Sequence, residues 1–213
     1  MNKLLTSLLL TFFLAGCMSS DSKYLEYDDY VVWVAKNKDH ISKIRENHLV
    51  SVKAEFQPSE LLAYHEYQRT SNRGESDYKA ILEKYKCGIS FKITVAANDP
   101  NANLLNHEIA NYADYSKRIS YLSFQIEEFT SITSNGQTYK PVLAHFEGYN
   151  EFSNRLIFHT VFQPDEFACG QYSKDMNSLR LTFEDEIWGS GTNHFTFQKG
   201  HLENLPKLIL AKN

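Results

Sequence analysis

Eight histidines, 26 acidic side chains and three cysteines are the groups in this 213-residue chain able to catalyse or ligate. Their spacing refuses most such roles. His65-Glu66 and His107-Glu108 begin like a helical zinc motif, but neither has a second histidine one turn further on. His40 and His48 share a face, two turns apart, only if their segment is helical throughout. The best set to assemble is His145, Glu147 and His159, which on adjacent strands would place imidazoles beside a carboxylate, as acid/base chemistry or a metal site requires. The plainer reading is polar groups satisfied at the rim of a sheet, and the missing spacing signature favours it. No metal and no cofactor are expected.

Other candidates fall in the same way. Glu184-Asp185-Glu186, followed by Gly189, Gly191 and Asn193, offers several oxygens to a hard cation such as calcium but departs from EF-hand spacing. A solvated strand end is expected there, and likewise at Asp28-Asp29. The chain has no Gly-x-Ser-x-Gly elbow, and Ser190 between two glycines lacks its flanking pattern. It has no Gly-x-x-x-x-Gly-Lys phosphate loop either. Cys169, in Ala168-Cys169-Gly170, carries a thiol that could attack a substrate, yet Cys87 offers it a simpler partner.

The amino terminus specifies an address more firmly than the rest specifies an activity. Lys3, the apolar run Leu4 to Leu14 and small Ala15-Gly16 are the three parts of a secretory signal, too short to span a bilayer as a helix. Leu14-Ala15-Gly16-Cys17 resembles the lipobox of bacterial lipoproteins; the resemblance covers this segment alone. It implies cleavage after residue 16, a diacylglyceryl group on the Cys17 thiol, and palmitate-type acyl chains. At about 0.8 kcal/mol per buried methylene, two or three such chains make the anchor effectively permanent. Met18, where an aspartate would retain the protein at the inner membrane, implies the periplasmic face of the outer membrane if the cell has one.

With Cys17 committed to lipid, Cys87 and Cys169 form an even pair in an oxidising compartment, and a disulfide is expected. Net charge is −4 with histidine neutral, and no run of Lys and Arg occurs. Nucleic-acid binding is therefore not expected.

The elements that must position these groups follow from periodicity. Residues 17–23 read as the lipidated cysteine with a short polar tether, and 24–213 as a single α+β domain, mainly helical over 24–85 and mainly β over 86–213. Tyr24, Tyr27, Tyr30, Val31 and Val34 predict a helix over Tyr24 to Ala35, resumed through Ile41 and Ile44. Its tyrosines and Trp33 either pack on the domain, the favoured reading, or meet lipid headgroups. Val50, Val52, Ala54 and Phe56 predict a strand, Ser59 caps a helix to Arg69, and Asp77 caps another to Tyr85. Cys87, Ile89, Phe91, Ile93 and Val95 predict a strand with Cys87 facing the core. Asp99-Pro100 predicts a helix start running to Lys117.

Beyond Arg118 the pattern is β. Leu122, Phe124 and Ile126 alternate, Asn135-Gly136 marks a hairpin, and Val142, Ala144 and Phe146 return. Leu156 to Phe162 predicts a strand covered on both faces, and Leu179 to Phe183 and Phe195 to Phe197 give two more. The expected fold is an antiparallel meander or Greek key of about six to seven strands packed with helices from the N-terminal half. Tyr64, Tyr67, Tyr112, Tyr115, Tyr121, Tyr139, Tyr149 and Tyr172 are candidates for an exposed interaction patch. The function expected is a lipid-anchored, non-enzymatic envelope protein that holds a protein partner. The alternatives are an envelope hydrolase using His145 and His159 with a carboxylate, and a purely structural lipoprotein.

Overall fold

Val50, Val52, Ala54 and Phe56 are buried in strict alternation with half-exposed Ser51, Lys53, Glu55 and Gln57, so this stretch is a strand pressed on a core by one face. The computed structural model that shows this describes residues 24–70, 74–148, 154–165 and 167–211. The expected signal segment 1–16, Cys17 with the expected tether to residue 23, and Tyr149 lie outside the described residues.

The described chain starts with β1 (Tyr24–Leu25) and a helical stretch divided at Asn37 into α1 (Tyr27–Lys36) and α2 (Lys38–Ile41). The hairpin β2 (Ser42–Glu46) and β3 (Val50–Gln57) follows, then α3 (Ser59–Arg69), α4 (Glu75–Tyr85) and β4 (Ile89–Ala97). A 3-10 turn at Leu104–Asn106 and helix α5 (Tyr112–Phe124) lead to β5 (Thr130–Ser134) and β6 (Gln137–Tyr139). Then come β7 (Leu143–Phe146), β8 (Arg155–Phe162) and a small ribbon of β9 (Phe167–Ala168) and β10 (Gln171–Tyr172). The chain closes with β11 (Ser178–Asp185), β12 (Gly191–Gln198), α6 (Lys199–Glu203) and β13 (Lys207–Leu208).

The fold is α+β, with the principal strands divided between two antiparallel sheets. One is five-stranded in the order β2-β3-β4-β8-β7; the other is four-stranded in the order β12-β11-β5-β6. Their apolar faces meet in one continuous core, where Phe91 of the first sheet lies 5.0 Å from Phe197 of the second, centroid to centroid, and Phe158 lies 6.2 Å from Phe183. Burying side chains of this size contributes about 1.5–3 kcal/mol each, so this interface is the main source of stability. A second, smaller core gathers Tyr30 of α1, Ala63 and Tyr67 of α3, Tyr78 and Ile81 of α4, and Leu208 of β13. β13 pairs in parallel with β1, bringing the two ends of the described chain together beside that core. Among the described residues no helix is long and apolar enough to cross a membrane.

Several boundaries depart from the periodicity, each for a local reason. Helix α1 starts at Tyr27 because Leu25 is taken by pairing with Leu208. It does not resume through Ile44: Ser42 is extended, and Ile44 pairs with Lys53 on an edge strand, 55% exposed. Asp77 lies three residues into α4, and its carboxylate accepts from the Gly74 N–H at 2.9 Å. Cys87 precedes β4 and is half-buried instead of facing the core. At the next residue a Cβ would meet Val161 Cγ1 at 2.7 Å, so Gly88 lets the chain pass close to β8.

Asp99 starts no helix; its carboxylate accepts from the Asn101 N–H in a turn, and Asn111 caps α5 instead, accepting from Ala113 N and Asp114 N at 2.9 and 3.1 Å. Leu122 and Phe124 therefore end a helix that buries the first and leaves the second 79% exposed. The Asn135-Gly136 hairpin forms as expected, with φ of +46° and +79° at the two turn residues. Its return strand β6 is short, and the next, β7, joins the other sheet. β8 is covered on one face only: Ile157, His159 and Val161 remain half-exposed.

Candidate functional site

The predicted trio of histidines and carboxylate sits on the outer face of the five-stranded sheet. His145 of β7 is the register partner of His159 on β8, and His159 Nε2 lies 2.5 Å from Glu147 Oε1. Continuing the same row, His159 faces Lys92 and Lys92 faces Glu55. Glu55 takes Lys53 at 2.7 Å and Lys92 at 3.1 Å. Burial works against the Glu55 charge, but the two ammonium groups outweigh it and hold the carboxyl below its ordinary range. The structure thus brings all three residues together, on an open sheet. The His159 and Glu147 side chains are 36% and 46% exposed. Such a pair orients an imidazole but is not shielded from water. Among the described residues no three His, Cys, Asp or Glu side chains are grouped to hold a metal ion.

The histidines of the N-terminal segment separate. Helix α2 ends at Ile41, so His40 and His48 share no helical face. His40 stacks instead on His201 of α6 at 3.9 Å, and burial, His201 and Lys43 hold its pKa below the ordinary value against the pull of Asp39.

Within Glu184-Asp185-Glu186 the two glutamates are exposed, as expected of a solvated strand end, but Asp185 is not. Asp185 is 7% exposed, and its Oδ1 accepts from Ile187 N and Trp188 N, both at 2.8 Å. Its Oδ2 accepts from Ser190 N at 2.7 Å and Ser190 Oγ at 2.6 Å. Both carboxylate oxygens are occupied in folding the β11–β12 turn. Trp188, 2% exposed, donates from Nε1 to Leu104 O at 2.9 Å and fastens that turn to the 3-10 segment.

Cys87 and Cys169 are bonded, with 3.7 Å between their Cα atoms and a sequence separation of 82. Cys169 and Gly170, with φ of +39° and +93°, form the turn of the β9–β10 ribbon. The disulfide pins that ribbon beside the end of α4.

Two adjoining cavities lie between the helical pair, the C-terminal segment and the β9–β10 ribbon. One cavity, about 670 Å³, runs between the Glu75, Tyr78, Lys79, Leu82 and Lys86 side of α4 and the consecutive residues 207–211. Tyr24 and Tyr67 also line it. A second, about 490 Å³, lies between the start of α3 and the disulfide-pinned ribbon, with Phe167 and Tyr172 in its wall. Burial, then the charge of Glu60, raises the pKa of both Tyr30 and Tyr78; for Tyr172, burial, Glu203 and Glu60 act in that order. On the far side of the helical pair, the Tyr85 hydroxyl donates to Glu66 at 2.6 Å, and its pKa is pushed up to about 12 by burial and that carboxylate.

The tyrosines expected to form one patch are spread over α3, α5, β6 and β10, although Tyr112 and Tyr115 stack on α5 at 6.5 Å. Tyr67 is buried, Tyr112 is 82% exposed, and Tyr64, Tyr115, Tyr121, Tyr139 and Tyr172 are half-buried. Tyr67 and Tyr172 matter through the cavities they line. The sequence signal for these cavities was faint: a helical stripe from Glu75 through Tyr78 and Leu82 to Lys86, whose other wall comes from the opposite end of the chain.

No family model and no curated protein matches this chain. Its structure is similar, with a TM-score of 0.39 and 11% identity over 84% of this chain and 89% of the other, to that of a novel protein of unknown function from Burkholderia pseudomallei.

Proposed function

We propose that this chain is a lipid-anchored, non-enzymatic binding protein of the bacterial cell envelope, tethered through Cys17 and holding a protein partner in the cleft between α4 and the C-terminal segment. The observation that carries the binding role is this tyrosine-lined concavity, whose size lies within the range typical of ligand sites. The lipobox residues Leu14-Ala15-Gly16-Cys17 supply the address. The Cys87–Cys169 bond fits an oxidising compartment. Six residues separate Cys17 from Tyr24, which makes seven Cα steps and a reach of at most about 25 Å. Tyr24 itself lines the cleft, so the site would stand close to the bilayer.

A hydrolase reading has the His159–Glu147 contact in its favour, but the open sheet face around that pair argues against it. The address is tested by feeding cells a clickable palmitate analogue. Label is expected on the full chain and absent from Cys17→Ser, with the wild type in the membrane fraction and the variant released. Unlabelled wild type refutes it. The binding role is tested by photo-crosslinking from position 79, on the cleft-facing stripe of α4, with position 124 on α5 as control. A discrete adduct from the first site alone is expected; none from either refutes it.

A further inference from the structure

The two cavities form one cleft, because Glu60, Lys86 and Lys207 line both. Glu60 stands at the join: its charge acts on Tyr78, in the wall of the first cavity, and on Tyr172, in the wall of the second. Behind it, Tyr30 is 0% exposed, and its hydroxyl has no hydrogen-bond partner among the described residues.

Most charges along the cleft are matched. Glu75 is held by Lys79 at 2.8 Å, Lys86 by Glu83 at 2.6 Å, and Glu203 by Lys199 at 3.6 Å, while Glu26 is exposed at the start of α1. Glu60 and Lys207 have no ionic partner among the described residues. A half-buried carboxylate without a cation is costly, and a ligand ammonium beside aromatic rings relieves that cost. Beside the two charges, Tyr67, Tyr78, Leu82 and Leu208 line the first cavity as an apolar floor. One wall is an extended stretch of backbone. Leu208 is the register partner of Leu25 and Ile209 N donates to Leu25 O, so the alternation of the strand turns the main-chain groups of Leu208 away from β1. An extended chain laid beside them would find hydrogen-bonding groups as well as charge.

We infer that the cleft binds a short peptide by its free ends, with the α-ammonium at Glu60, the carboxylate at Lys207, and an apolar side chain on the Tyr67–Leu208 floor. This rests on the binding-protein reading above and narrows its partner to a peptide with exposed termini.

The test is isothermal titration of the full chain in detergent with the tripeptide Ala-Leu-Ala, its N-acetylated form, its C-amidated form, and phosphoethanolamine. Saturable binding of the free tripeptide is expected, weakened about tenfold or more by either block, the factor that corresponds to about 1.4 kcal/mol. Glu60→Gln should weaken the free peptide by the same factor and leave the acetylated peptide unchanged; Lys207→Ala should behave likewise toward the amidated one. Thermal melts verify that the variants fold, and if one does not, the blocked peptides on the wild type decide. No heat from the free tripeptide at millimolar concentration, equal binding of the acetylated form, or binding of phosphoethanolamine alone each overturns the inference. Palmitate labelling at Cys17 is read separately: peptide binding without label removes the address and keeps the cleft, and label without peptide binding does the reverse.

Discussion

Replacing Asp185 by alanine removes the acceptor of four hydrogen bonds at once, from Ile187 N, Trp188 N, Ser190 N and Ser190 Oγ. A hydrogen bond to a charged group contributes about 1.5–3 kcal/mol net, and the four are not additive because water reaches part of the turn when the carboxylate is gone. Trp188 N is the donor least open to water, since Trp188 is 2% exposed. The expected loss is about 3–5 kcal/mol, a large share of the 5–15 kcal/mol typical of a whole domain. Asp185→Asn keeps Oδ1 but turns an amide N–H toward the Ser190 N–H, so about 2–4 kcal/mol is expected despite near-identical size. Ser190→Ala removes one of those donors and an acceptor of Asn193 Nδ2, which keeps Phe183 O and Gly191 O, and should cost less, about 1.5–2 kcal/mol. The assay is urea unfolding of the full chain followed by the emission of Trp188, with Trp33 as the other tryptophan. With a slope of about 2 kcal/mol per molar urea, Asp185→Ala should move the midpoint down by about 1.5–2.5 M. A loss under about 1 kcal/mol in Asp185→Ala, or a neutral Asp185→Asn, would show that the carboxylate does not organise the turn.

Two further perturbations test other joints. Replacing both Cys87 and Cys169 by serine should destabilise the chain by about 4–5 kcal/mol on the loop-entropy model for a separation of 82 residues, read as a lower urea midpoint that reductant no longer alters; unchanged stability would mean the ribbon is held without the bond. The Glu55 carboxyl, kept below its ordinary value by Lys53 and Lys92 against burial, contributes stability that is present above the ordinary carboxylate range and lost as pH falls through the folded-state value. Glu55→Gln should flatten that part of the acid limb in thermal melts from neutral pH downward, and an identical acid limb in the variant would refute the assignment.

The parts of the fold written in the sequence are those that depend on one buried face. β3, β11 and β12 each alternate apolar and polar residues, and Asn135-Gly136 supplies the positive φ its turn demands. Alternation reports that a face is covered, not by what, so the division of the strands between two sheets was not legible. Ile41 and Ile44 carry the spacing of a resumed helix, yet Ser42–Glu46 is an edge strand held by backbone pairing to β3, with Ile44 exposed, and such pairing leaves no periodic mark. Asp185 gives no sign of its burial in the sequence because three of its four donors are main-chain N–H groups, which leave no mark in composition. The cleft was hidden for a different reason: Glu60, Tyr78, Tyr172 and Lys207 come from distant parts of the chain, and only the packing of α3 and α4 against β13 brings them together.

That packing makes the proposed anchor and the proposed site parts of one joint. β1 follows the tether, and its partner β13 forms the wall of the cleft, in a ladder only two residues long. So short a ladder is weak alone. It is held in place by Leu208, 4% exposed among Tyr30, Ala63, Tyr67, Tyr78 and Ile81. The facing sheets, with their own phenylalanine core, do not depend on that side chain. A partner laid along residues 207–211 would therefore brace β13 and, through their ladder, β1, the strand that follows the proposed anchor in sequence. Occupancy of the cleft should slow hydrogen exchange at Ile209 N, whose bond to Leu25 O closes that ladder, with exchange in the two-sheet core unchanged.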